Sequence, residues 1–344
     1  MKTSCIPYFL VLVAFISCSE NESTLFTDPD AQAPLITLQF TTPPIDLEGA
    51  DALFASDVSY DVYEKTTFDV FLPTSTTSTG LVIFIHGGGF TGSDKTFIYN
   101  DNFKNEVISL LNQNIAVATI NYRLIETGDT EGVLKSLHDS KRALQYIRYI
   151  HNELNIDKEN IVLFGSSAGA STALWLATNN DLREVNSTDL VVQESTRVKG
   201  IALNATQSSL DIETRWIGDV FAEFGTSIED IIQEFGEART YNFYGVSSRE
   251  EYESPEIEAY RQRVDMLSML SSDDPEIWVT NTGGHNNEPL TQSSFNHHPF
   301  HAREIKEFAD AVGVPTVVTY GNPILFDDAN NEDYVSFLIR KINE

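Results

Sequence analysis

The chain has 344 residues, 41% of them hydrophobic and 11% aromatic, enough for one large core or a core with a small cap. Its formal net charge of −29 excludes nucleic acid or an anionic lipid surface as a natural partner, since both would be repelled. Nothing in the composition marks repeats or low-complexity disorder.

The first stretch stands apart from the rest. Lys2 is followed by an apolar run, Ile6 to Ile16, too short to span a bilayer as a helix, and then by Ser17-Cys18. Residues 1–17 are expected to be an export signal, either an ordinary secretory one or a bacterial lipoprotein signal with Phe15-Ile-Ser-Cys18 as its lipobox. Cys5 lies inside that signal, so a processed chain keeps Cys18 alone, at its first position, and can form no internal disulfide. An acylated Cys18 accounts for that lone cysteine. The expectation is export, with a lipid anchor to the bacterial envelope (outer membrane or cell surface) as the only membrane contact, and residues 18–55 as a polar tether.

From residue 56 the pattern is that of one folded domain. Val58 to Tyr63 and Thr67 to Leu72 alternate as a hairpin of edge strands around Glu64-Lys65. Leu81 to Ile85 and Ile115 to Ile120 are uniformly apolar and read as buried strands, with a helix over Phe103 to Leu111 between them. Val133 to Leu154 has apolar residues at 134, 137, 144, 147 and 154, the spacing of a long crossover helix. Its His138 and Asp139 read as a hydrogen-bonded buried face. Ile161 to Phe164, Val198 to Leu203, Glu276 to Thr280 and Val314 to Tyr320 complete the strands. Strands alternating with helices predict an α/β fold, a doubly wound and mostly parallel sheet. Between about 205 and 272 the strand signal stops; Ser227-Ile-Glu-Asp230 and Ser254-Pro-Glu256 are helix starts in a segment rich in aromatics.

Two stretches carry chemistry. In Gly165-Ser-Ser-Ala-Gly169 a serine sits on a strand-to-helix turn flanked by residues without side chains, which lifts its hydroxyl to a helix N-terminus; Ser167 is the nucleophile candidate. Alone, that pentapeptide also fits any tight βα turn. About eighty residues earlier, however, the strand Leu81 to Ile85 runs into His86-Gly-Gly-Gly-Phe90, a side-chain-free loop whose N–H groups suit the stabilisation of a developing oxyanion. Together the two favour acyl-transfer chemistry.

With these residues, and with Asn121-Tyr-Arg-Leu124 and Asp139-Ser-Lys-Arg-Ala143, the sequence resembles the α/β-hydrolase superfamily, specifically esterases of the hormone-sensitive-lipase and type-B carboxylesterase kind, from about Asp57 to Leu203. The resemblance implies an oxyanion hole from the N–H groups of Gly88, Gly89 and Ala168, no cofactor and no metal, and a helical cap or lid formed by the insertion at about 205–272. It also implies an acid after the strand at 276–280 and a histidine after the strand at 314–320. Here the sequence departs: no histidine follows Tyr320. The base is therefore expected from His285 or the cluster Asn296-His-His-Pro-Phe-His301, with His298 foremost and His297 next, and His301 on the packing side of the following helix. A metal site from 297, 298 and 301 would need a further carboxylate that is not evident. The acid stays open among Glu288, Asp327 and Asp328.

The sequence thus leads to an exported serine carboxylic ester hydrolase acting on a small-molecule or carbohydrate-linked ester. The competing reading is a non-catalytic or weakly active surface lipoprotein that uses the same fold as a binding module.

Overall fold

The structure, a computed structural model, describes residues 36–344. The expected signal and Cys18 lie outside the described residues. From residue 36 onward the chain already belongs to the domain rather than to a tether: β1 (Phe40–Thr41) pairs with β2 (Ala52–Ser59), and Leu47 packs into the core.

A ten-stranded sheet forms the centre, in the order β1-β2-β3-β5-β4-β6-β7-β8-β9-β10. Its members after β2 are β3 (Thr67–Pro73), β4 (Thr79–Ile85), β5 (Ala116–Ile120), β6 (Ile156–Ser166), β7 (Gly200–Asn204), β8 (Glu276–Asn281), β9 (Thr316–Gly321) and β10 (Ile324–Asp327). β4 to β9 run parallel with β5 beside β4; β1, β2, β3 and β10 are antiparallel flanks. The first hairpin begins earlier than the alternation suggests, and β2 absorbs an irregularity between Ala55 and Val58, where Asp57 has φ 54°.

The central strands are buried on both faces, as their unbroken apolar runs require. Along β4, Leu81, Ile83 and Ile85 join one core cluster and Val82 and Phe84 the other, and each is at most 1% exposed. Burying each such side chain contributes about 1.5–3 kcal/mol. The first cluster is covered by α2 (Val133–Tyr149) and α3 (Ala168–Thr178), the second by α1 (Asp101–Asn112).

Between β7 and β8 the chain leaves the sheet as an irregular helical layer. A wide-turned helix at Ile212–Val220 is followed by α4 (Ile228–Phe235), α5 (Glu237–Phe243), α6 (Arg249–Tyr252), α7 (Pro255–Gln262) and α8 (Met266–Met269). Ser227 caps α4 through a reciprocal bond with Asp230, and Pro255 opens α7 at the first turn, where its missing N–H costs nothing. After β8 come α9 (Gln292–Asn296) and α10 (Pro299–Val312), and α11 (Tyr334–Asn343) ends the chain with Phe337, Leu338 and Ile342 in the second cluster. No helix among the described residues is long and apolar enough to cross a membrane.

Pairing register brings the functional loops together. Ile85 lies opposite Gly165, Gly165 opposite Leu203, Asn204 opposite Thr280, and Asn281 opposite Tyr320. The loops after β4, β6, β7 and β8 therefore leave the sheet side by side at its carboxyl edge, where open α/β sheets carry their sites.

Candidate active site

Ser167 stands between β6 and α3 with φ 54° and ψ −122°, a conformation costly for a residue with a side chain. It is held there from both sides: its N–H donates to Asn204 O at 2.9 Å, and its carbonyl accepts from Ser171 N at 3.0 Å. The turn is tight because α3 packs directly on β4. A Cβ on Gly169 would lie 2.0 Å from Ile85 O, so only glycine allows this approach.

The glycine loop after β4 is clamped from beneath. Tyr122, 1% exposed, donates its hydroxyl to the carbonyls of His86 (2.8 Å) and Gly87 (3.1 Å), and its ring stacks on the His86 imidazole at 4.3 Å. Gly88 has φ +95°, and a Cβ there would meet Gly92 O at 2.2 Å. Among the described residues no protein acceptor takes the N–H groups of Gly88, Gly89 or Ala168. Gly88 and Gly89 line the same cavity as Ser167.

The other two motifs fix the chain that leaves β5 rather than entering the site. Asn121 accepts from Lys95 N at 2.6 Å and donates to Asp94 at 2.9 Å, while its carbonyl receives the Tyr60 hydroxyl. Asp139 on α2 receives Arg123 through Nε (2.8 Å), Nη2 (2.7 Å) and the backbone N–H (2.9 Å). Such a paired and largely buried carboxylate would cost about 3–5 kcal/mol to strand by removing the arginine.

The histidine beside Ser167 is His297, not His298. His297 Nε2 lies 2.8 Å from Ser167 Oγ. Burial lowers the pKa of its imidazole, favouring the neutral form that can accept a proton. His298 is turned the other way by its place in the chain. It precedes Pro299, takes an extended backbone (φ −58°, ψ 138°), and caps α10: Nδ1 accepts from Phe300 N at 3.2 Å and Nε2–H donates to Asn287 O at 3.0 Å. Both ring nitrogens are spent, the ring is wholly buried near Phe221, Phe224 and Phe300, and it cannot reach Ser167. His301 is also fully buried and faces the packing side of α10. Its Nδ1 accepts from Ser208 N at 3.2 Å and its Nε2–H donates to Phe295 O at 2.9 Å. The three rings diverge rather than converge on a common point, and His285 is exposed on the loop after β8.

None of the three acid candidates meets His297. Glu288 is exposed; Asp327 accepts from Thr319 and Ala329; Asp328 accepts from Val318 N at 2.6 Å and faces Lys306. Among the described residues the one hydrogen-bond partner of the His297 ring is Ser167. What fixes its segment instead is Gln207, a residue that gave no signal in the sequence. Gln207 Nε2 donates to Asn296 O at 2.7 Å, and its Oε1 accepts from Ser171 Oγ at 2.7 Å. Asn281, fully buried at the end of β8, completes the clasp through Thr206 O (2.9 Å) and His298 O (3.0 Å).

Ser167 and His297 open into a cavity of about 480 Å³. Its far wall comes from the helical layer, chiefly Leu210, Ile212, Trp216, Phe235 and Phe243. The arrangement offers a hydroxyl next to a neutral base, free N–H donors beside them, and an apolar chamber for a substrate group.

Solved structures with the same fold include a truncated carbohydrate esterase from gut microbiota, 17% identical, over 86% of this chain and 99% of that one, with a TM-score of 0.61. Esterase B from Lactobacillus rhamnosis is 16% identical over 85% of each chain, TM-score 0.55. An acetyl ester-xyloside bifunctional hydrolase from Caldicellulosiruptor lactoaceticus is 17% identical over 83% of this chain and 86% of that one, TM-score 0.50. At such identities the likeness is one of fold, and it is the α/β-hydrolase fold. No curated protein matches the sequence. The profile of the family described as BD-FAE matches residues 68–255, which run from β3 through the glycine loop and Ser167 to the start of α7 and exceed half of the chain; the chain belongs to that family.

Proposed function

We propose that the chain is a serine carboxylic ester hydrolase. The observation that carries this reading is the 2.8 Å contact of Ser167 Oγ with His297 Nε2, beside N–H donors that no protein group occupies. A serine hydroxyl is a poor nucleophile at neutral pH, and a base within hydrogen-bond reach makes it competent. His297 takes the Ser167 proton as Oγ attacks the ester carbonyl. The N–H groups of Gly88, Gly89 and Ala168 stabilise the oxyanion, each contributing roughly 10²–10³ in rate. His297 then protonates the departing alcohol, and water, deprotonated by the same imidazole, resolves the acyl-enzyme on Ser167.

The substrate class rests on the neighbours' titles, which name a carbohydrate esterase and an acetyl ester-xyloside hydrolase; an acyl ester of a carbohydrate is the class proposed here. An exported enzyme anchored through Cys18 would suit a polymeric substrate outside the cell, a reading supported by the N-terminal sequence alone.

A fluorophosphonate probe provides the test, together with hydrolysis of 4-nitrophenyl acetate. Wild type should be labelled at Ser167 and turn over the ester, and Ser167→Ala should do neither while keeping its fold. Absence of labelling in the folded wild type would favour the binding-module reading instead.

A further inference from the structure

The active-site cavity holds one feature that hydrolysis of a neutral ester does not need. Its walls are glycine, apolar or uncharged polar side chains apart from the neutral base His297 and a single formal charge, that of Arg239 on α5. In a chain of net charge −29 that charge is positive. Its neighbours in the helical layer, Arg215, Arg249 and Arg261, each sit on carboxylates. Arg239 does not: among the described residues its contacts are the amide oxygen of Gln292 at 2.6 Å and the Phe235 ring at 5.7 Å. The nearby carboxylate of Glu234 is engaged elsewhere, accepting the Gln292 N–H at 2.9 Å.

Arg239 is exposed, and its guanidinium reaches over to the glycine loop. One of its terminal nitrogens, Nη2, comes within 3.3 Å of the position a Cβ on Gly89 would occupy, so it overhangs the glycine loop. The bond from Nη1 to Gln292 ties it to the first residue of α9, the helix that leads into His297. Among the described residues Nη2 has no hydrogen-bond partner, and it stands beside Gly89 on the loop that lines the cavity.

We propose that Arg239 anchors an anion subsite, so that the ester cleaved carries a carboxylate in its acyl or its alcohol part; this rests on the esterase reading above. A guanidinium grips a carboxylate through parallel N–H bonds; Arg239 is itself exposed, so salt in the solvent screens that attraction. A uronic acid residue in a carbohydrate ester, or the free end of a dicarboxylic half-ester, would satisfy it.

The test uses ester pairs that differ in charge. On the acyl side, mono-4-nitrophenyl glutarate is compared with 4-nitrophenyl pentanoate; on the alcohol side, an acetylated methyl glucuronoside with the corresponding glucoside. The charged member of one pair should be favoured roughly tenfold or more in kcat/KM at low salt, as a charge-assisted hydrogen bond allows. That ratio should collapse in Arg239→Gln, reverse in Arg239→Glu and shrink with added salt. The responding pair identifies which part of the substrate carries the carboxylate. No charge preference in either pair, or the same ratio in wild type and Arg239→Gln, overturns the subsite. Calorimetric titration of Ser167→Ala with the two charged esters separates this result from failure of the esterase reading. If wild type cleaves none of the four esters, the esterase reading falls and the titration decides the subsite: binding lost in Ser167→Ala/Arg239→Gln supports it, and binding absent or indifferent to Arg239 refutes it.

Discussion

Adjacent histidines with separate tasks should fail in different assays. His297→Ala removes the only side-chain nitrogen that, among the described residues, lies within hydrogen-bond distance of Ser167 Oγ. The expected loss in kcat is roughly 10²–10⁴, or about 3–5 kcal/mol of transition-state stabilisation. Because His297 is only half-buried, the melting temperature should move little. His298→Ala does the reverse. It leaves the Phe300 N–H and the Asn287 carbonyl without partners and opens a void beside three phenylalanine rings. A lost cap and an unfilled space together cost about 2–4 kcal/mol. For a domain of this size that lowers Tm by roughly 3–6 °C. His298→Asn should recover part of the loss, since asparagine is a good N-cap. The assays are initial rates on 4-nitrophenyl acetate and thermal unfolding of the same preparations. A His297→Ala enzyme within tenfold of wild type, beside a His298→Ala enzyme that is inactive at unchanged Tm, would refute the assignment.

Gln207→Met keeps the volume but cuts both bonds that tie the His297 segment to α3; kcat should fall about tenfold, and Gln207→Glu, adding negative charge near His297, should raise the pH at which activity is lost on the acid side. Activity requires neutral His297, whose pKa burial lowers; the rate should therefore climb with pH through a midpoint below about 6.5, and a midpoint at or above that value in a pH–kcat/KM profile would contradict the geometry. Stability carries a second pH signature: His301 is pushed down to about 3 by burial, so below pH 6.5 the unfolded chain binds a proton that the native state refuses. Between pH 6.5 and 5 that group alone should cost about 2 kcal/mol, and denaturant titrations of His301→Asn should show a correspondingly shallower fall.

What could be read in the sequence divides along a physical line. Leu81 to Ile85, Ile115 to Ile120 and Ile161 to Phe164 announced the central strands because burial on both faces forces uninterrupted apolar runs. The glycine loop and the serine turn were legible because a close backbone approach tolerates little else. β10 has no signature in the sequence: four residues on an exposed edge need no pattern. α11 does carry apolar residues at 337, 338 and 342, but it lies beyond the last strand that the fold class called for. The choice between His297 and His298 was hidden, because both have the same chemistry and only the cap of α10, set by Pro299, decides which ring turns inward. Gln207 was invisible for a related reason: a bridge between α3 and the segment after α9 is a tertiary fact with no local period.

The missing late histidine has a structural explanation in the crowding of that segment. Supplying the base from the connection between β8 and α10 puts it on a short stretch whose backbone is fixed several times over. Asn281 holds His298 O, Gln207 holds Asn296 O, and His301 holds Phe295 O, so every residue from 295 to 298 except His297 has its carbonyl taken by one of these side chains. In a triad a carboxylate both orients the imidazole and stabilises its charged form. Here orientation comes from the backbone on either side of the ring. On the proposed mechanism, no carboxylate among the described residues would meet the charge that develops on His297. On that mechanism the rate should therefore be more sensitive to Gln207, which also lines the cavity, and to Asn281 than to any acidic residue on the loops after β8 and β9.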